Sequence, residues 1–133
     1  PLMIHCRKAQ NEMVRLLRKY KDELPGGVFH CFTGNAHEAE ELLEFKNFML
    51  GIGGVLTFKK SNLPETLREA VPLQRIVLET DAPYIAPVPM RGKRNESAYI
   101  IYIKEKLAEI YGTTADEVDR ITTETAKKLF GLY

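Results

Sequence analysis

Hydrophobic residues recur along this chain in two rhythms, short continuous apolar runs and apolar positions at helical spacing. The runs, of strand length, fall at residues 1–6, 27–32, 48–52 and 75–80. Between them apolar residues return every three or four positions. Residues 8–23 carry Met13, Val14, Leu16, Leu17 and Tyr20 at that spacing, and Pro25-Gly26-Gly27 ends the pattern. Thr33-Gly34 reads as a turn. Asn35 with Glu38 has the spacing of a capping box and opens a helix with Ala39, Leu42 and Leu43 inward. Residues 55–61 read as a short irregular stretch before a helix over 62–71, with Pro64 in its first turn. A proline-rich loop from Pro83 to Asn95 leads to a helix over 97–111 whose Ile100, Ile103, Leu107 and Ile110 share one side. Gly112 ends it, and Thr114 with Glu117 starts a last helix with Val118, Ile121, Thr125 and Leu129 inward.

Strands separated by helices and short connections predict a parallel sheet covered by helices. Side chains along a strand alternate between its faces. Met3, His5 and Arg7 therefore share one face, as do Val28, His30 and Phe32, and Val77, Glu79 and Asp81. Each such face is apolar up to its C-terminal tip, where imidazole or carboxylate takes over. A doubly wound sheet would keep its central strands apolar on both faces to the end, whereas a barrel accepts polar groups at the top. The expected fold is α/β, the C-terminal half of a (β/α)8 TIM-type barrel, as a single domain over residues 1–133. Because the sequence opens on Pro1, directly at a strand, the N-terminal strands are expected to be missing.

Composition adds limits. With 133 residues, 44% hydrophobic and 28% charged, the chain suits a globular domain rather than a disordered segment. Nineteen basic against 18 acidic residues leave a formal charge of +1, so attraction to a polyanion must come from a local cluster. No apolar stretch approaches the roughly 18 residues of a membrane span, and with no charged-then-apolar stretch before the first strand a leader is not expected. A cytoplasmic protein without a membrane partner is expected. Cys6 and Cys31 each follow an inward histidine, so alternation sends both thiols outward under the helices as small hydrophobes.

The tips carry the candidate chemistry. His5, His30 and Asp81 can meet around one cation at one end of the sheet. Imidazole with carboxylate suits zinc, manganese, nickel or iron, while magnesium prefers oxygen shells. The plainer alternatives are hydrogen-bonded core histidines, and Glu79 as an ion-pair partner of Arg7. Arg91, Lys93 and Arg94 with Asn95 form the one concentrated basic stretch. It is read either as a grip on substrate phosphates or as a solvated loop in which Asn95 caps the next helix. Gly51, Gly53 and Gly54 lack the lysine of a P-loop and are read as points of close approach at the barrel mouth. Phe32 and Phe58 are assigned either to base stacking or to packing, and His37 to the solvated surface.

In order along the chain, "PLMIHCR", "GVFHCFTG", "LGIGGVLTFKK" and "RIVLETDAPYIAPVPMRGKRNESAYI" resemble four signatures of the TatD-type metal-dependent deoxyribonucleases. The resemblance covers essentially the whole chain and corresponds to strands five to eight of such a barrel. It implies His5, His30 and Asp81 as metal ligands, with Glu79 and Asp81 as catalytic carboxylates and Glu79 handling the attacking water or its proton. It implies two divalent ions in the complete enzyme, of unspecified identity among Mg, Mn, Zn, Ni and Fe. An HxH pair on strand one and a bridging glutamate on strand four would complete the site, and neither is in this sequence. The implied activity is hydrolysis of DNA phosphodiesters by a metal-activated water, as an exonuclease. The alternatives are an incomplete fragment that binds nucleic acid or a complementary half, self-association of two copies to close the barrel, and a small-molecule amidohydrolase. The last has no use for three clustered cations. Met90 and Ser97 depart from the family's usual pattern and touch loop rigidity rather than the metal residues.

Overall fold

The computed structural model of the chain describes residues 1–132. Strands β1 (Leu2–Ile4), β2 (Gly27–Phe29), β3 (Phe48–Ile52) and β4 (Ile76–Leu78) form one parallel sheet in the order β1-β2-β3-β4. Helix α1 (Gln10–Lys19) follows β1, α2 (Ala36–Leu43) follows β2, α3 (Leu63–Ala70) follows β3, and α4 (Ile100–Tyr111) with α5 (Ala115–Phe130) follows β4. When sequential neighbours are joined by crossovers of one hand, the helices gather on one face and the sheet curls toward closure. A doubly wound sheet would instead reverse its strand order at a switch point. The fold is thus half of a parallel barrel, as expected from the polar strand tips.

The outward face builds the main core. Phe29, Phe48, Leu50, Ile52 and Ile76 meet Val14, Leu17, Leu42, Leu67, Ile103, Leu107 and Val118 from the helices, and Leu50 and Ile52 are fully buried. Phe29 stacks on Phe48 with ring centroids 4.9 Å apart. On the inward face the edge strand β1 is open. Met3 is 62% exposed, whereas Val28 and Val77, which the strand alternation places on the same face, are 1% and 6% exposed. Val28 lies on a central strand, β2, and Val77 on the other edge strand, β4.

The capping box forms as expected, with Asn35 Oδ1 accepting from the Glu38 N–H and Glu38 Oε1 accepting from the Asn35 N–H. Thr114 caps α5, and Gly112 takes the left-handed conformation that ends α4. Residues Gly54–Thr57 are a 3-10 turn rather than irregular chain, because Leu56 plugs into the core and Thr57 Oγ1 donates to the Gly54 carbonyl at 2.7 Å. On α5 the inward threonine is Thr122, and Thr125 is only half-buried. Strands β1, β2 and β4 hold three residues each instead of six. Their chains leave the ladder at the C-terminal edge, where Cys31 (φ 53°) and Asp81 (φ 54°) adopt left-handed backbone. Among the described residues no helix is long and apolar enough to cross a membrane.

Candidate metal centre

His30 and Glu79 sit one rung beyond the regular sheet and are still tied to it. The His30 N–H donates to the Ile4 carbonyl at 2.9 Å and the Glu79 N–H to the Ile52 carbonyl at 3.0 Å. Their side chains therefore rise from fixed backbone on the inward face. His30 Nδ1 lies 3.0 Å from Glu79 Oε2, and His30 Nε2 lies 3.3 Å from Asp81 Oδ1. The ring of His5 stands beside them, its centroid 6.0 Å from that of His30. All three expected tips thus gather at one end of the barrel.

The arrangement at His30 has a direction. With Nδ1–H donated to the Glu79 carboxylate, Nε2 presents its lone pair toward Asp81, the tautomer a metal-bound imidazole needs. Two ligands about 2.1 Å from one tetrahedral ion stand about 3.4 Å apart, close to the His30–Asp81 separation. Glu79 Oε1 is buried and has no hydrogen-bond partner, so this carboxylate has capacity to spare. His30 and Asp81 fit a cation as a preformed pair. Among the described residues, however, no three His, Cys, Asp or Glu side chains are arranged to hold one ion together. His5 lies near the pair without completing it.

Glycine makes room for this cluster. A Cβ on Gly51 would overlap Glu79 Oε2 and stand 3.1 Å from Val28 Cγ1. At Gly54 a Cβ would overlap the carbonyl oxygen of Ile85. The close approach read from the sequence is therefore made by the protein's own Glu79 and by the Ile85 backbone.

Several expected roles change. Asn95 was a candidate phosphate ligand, but its side chain is 2% exposed and fully engaged inside the loop. Nδ2 donates to the carbonyls of Thr80 and Tyr84 at 2.7 Å each and to that of Ile85 at 3.3 Å, and Oδ1 accepts from the Glu96 N–H. It locks the turn that carries Asp81. Glu79 pairs with His30 rather than with Arg7, which is exposed. Phe32 packs in the outer core, because the left-handed turn at Cys31 breaks the alternation that assigned it inward. The same turn leaves Cys31 half-buried within the field of the site. Burial, then the charges of Glu79 and Asp81, push its thiol up to about 11, so it stays protonated at neutral pH. Cys6 is half-buried on the outer side with Ile4 and Phe29, as expected. Arg91, Lys93 and Arg94 are exposed, and Arg91 Cζ lies 3.9 Å above the centre of the Phe58 ring.

Gly51 was legible as a point of close approach, but the sequence did not say that Glu79 is what approaches it. Asn95 carried no signal that separated burial from exposure.

The family model described as TatD related DNase matches residues 1–131. A relative from Bacillus subtilis, named an uncharacterized metal-dependent hydrolase, YabD, is 43% identical over 130 residues, covering 98% of this chain and 51% of its own length. A Citrobacter rodentium protein named 3'-5' ssDNA/RNA exonuclease TatD is 37% identical over 139 residues, covering 99% of this chain and 52% of its own. The crystal structure of YJJV, a TatD homolog from Escherichia coli K12, superposes with a TM-score of 0.90 at 25% identity, covering all of this chain and 51% of that one. The chain spans about half the length of the curated relatives it matches. With the motifs in order, the barrel geometry in place and the match running nearly end to end, the chain belongs to the TatD-related DNase family.

Proposed function

We propose that this chain supplies one side of the active site of a metal-dependent hydrolase that removes nucleotides from the 3' ends of single-stranded DNA or RNA. The observation that carries the reading is the imidazole pinned between two carboxylates, with His30 Nδ1 on Glu79 at 3.0 Å and Nε2 facing Asp81 at 3.3 Å. The names of the relatives supply the nucleic-acid substrate and the polarity. In this reading His30, Asp81 and His5 are ligands, and Glu79 holds the His30 tautomer while its free Oε1 accepts a proton from the attacking water. A divalent ion, or two in the complete site, supplies Lewis acidity toward water and toward charge growing on the phosphoryl oxygens. Further ligands come from the barrel strands that lie outside this span in the longer relatives, from another polypeptide or from a second copy.

The basic loop fits the same substrate. Arg91, Lys93 and Arg94 follow the strand-eight position and can hold phosphates beside the one being cleaved. Free cysteines at Cys6 and Cys31 suit a reducing cytoplasm, which belongs to the proposal.

The test is digestion of end-labelled single strands by the full-length protein with Mn²⁺ or Mg²⁺. His30→Asn is expected to lower kcat more than about 100-fold, since even partners of metal ligands cost 10- to 100-fold. A His30→Asn protein that retains metal-dependent cleavage would refute the assignment.

A further inference from the structure

Two loops separated in sequence are joined beside the site. The Val88 N–H donates to Thr57 Oγ1 at 2.9 Å, and the Arg91 guanidinium sits over the Phe58 ring with Cζ 3.9 Å from its centre. Lys59 and Lys60 follow Phe58 directly in the chain, and Lys93 and Arg94 follow Arg91 within three residues, so the contact draws the two basic stretches together. All five cations are exposed, and among the described residues none is paired with a carboxylate. The chain as a whole is nearly neutral, with a formal charge of +1. Five unpaired cations brought to one place therefore form a local field that a polyanion can answer.

Both loops spring from the rim of the site. Gly53 lies against Glu79, and Gly54 packs under the Ile85 carbonyl. Four residues of 3-10 turn at about 2.0 Å rise carry the chain about 8 Å from Gly54 to Phe58. A guanidinium held over an aromatic ring is restrained in place while its N–H groups remain able to meet a phosphate.

We propose that Phe58 is a positioning residue that presents Arg91, and that Lys59 and Lys60 complete with Arg91, Lys93 and Arg94 a track for the backbone phosphates of single-stranded nucleic acid flanking the scissile linkage. The proposal rests on the nucleic-acid reading above.

The experiment measures binding of a fluorescent oligothymidylate to the full-length protein by anisotropy, in EDTA, from 50 to 200 mM KCl. A Lys59→Ala/Lys60→Ala variant is expected to lower the slope of log K against log salt by about 1.4, because each single-strand phosphate contact contributes about 0.7. Phe58→Leu is expected to weaken binding about three-fold, the size of an exposed cation–π contact. Phe58→Tyr should restore it, and Phe58→Leu added to Arg91→Ala should weaken it no further. In turnover with metal, Phe58→Leu should raise KM and leave kcat unchanged. An unaltered slope in the double lysine variant, or effects of Phe58→Leu and Arg91→Ala that multiply, would overturn the proposal. Should Phe58→Leu fail to fold, Arg91→Lys keeps the charge without the guanidinium. It should show the same three-fold loss, and wild-type binding by it would overturn the proposal equally. Absence of cleavage by the unsubstituted protein, with the slope change intact, would remove the hydrolase reading and support this one.

Discussion

Gly51 has no side chain where a Cβ would overlap Glu79 Oε2, so the carboxylate rests directly on the strand and reaches His30 Nδ1. Gly51→Ala should push Glu79 aside, release the His30 tautomer and lower metal affinity about 10- to 100-fold. Isothermal titration with Mn²⁺ reads that loss, while urea unfolding should change by less than about 1 kcal/mol, because the atom displaced is the mobile end of a side chain. Wild-type metal affinity in that variant would separate Glu79 from the site. At this scale His5, His30, Glu79 and Asp81 were legible from alternation, since three strands end their inward faces in the same chemistry. Asn95 and Cys31 were not. Their places depend on left-handed residues at Asp81 and Cys31, and neither carries the glycine that marks such a conformation in a sequence.

Among the elements, the junction of α2 with β3 depends on a side chain from just before β4. Arg75 Nε donates to the Phe48 carbonyl at 3.1 Å, and its Nη2 reaches the carbonyls of Phe45 at 3.0 Å and Phe48 at 2.8 Å. Burial lowers its pKa from the usual guanidinium value, yet it stays charged. The contact answers carbonyls that the end of α2 and its turn leave free. Arg75→Ala should cost about 2–3 kcal/mol, the scale of hydrogen bonds from a charged donor, read by urea denaturation. Arg75→Lys should recover only part, lacking the fork. The helices themselves were legible from caps and period, to within two or three residues for α2, α3 and α5. The short strands were overextended because a run of apolar letters continues past the point where the backbone turns out of the ladder.

For the whole molecule, β1 is an edge strand whose Leu2 and Met3 are 40% and 62% exposed. A polypeptide of residues 1–133 alone should therefore associate as its concentration rises, detected by light scattering coupled to size exclusion. A monomer at the highest concentration would contradict this. Barrel membership was legible from the polar tips, whereas the burial of Val28 and Val77 was not, because strand alternation assigns a side chain to a face without saying how far it is covered. Spatial order that follows chain order has a consequence for synthesis. Each of β2, β3 and β4 docks on the strand made just before it, so a nascent chain leaving the ribosome can add each of these units to a border already formed.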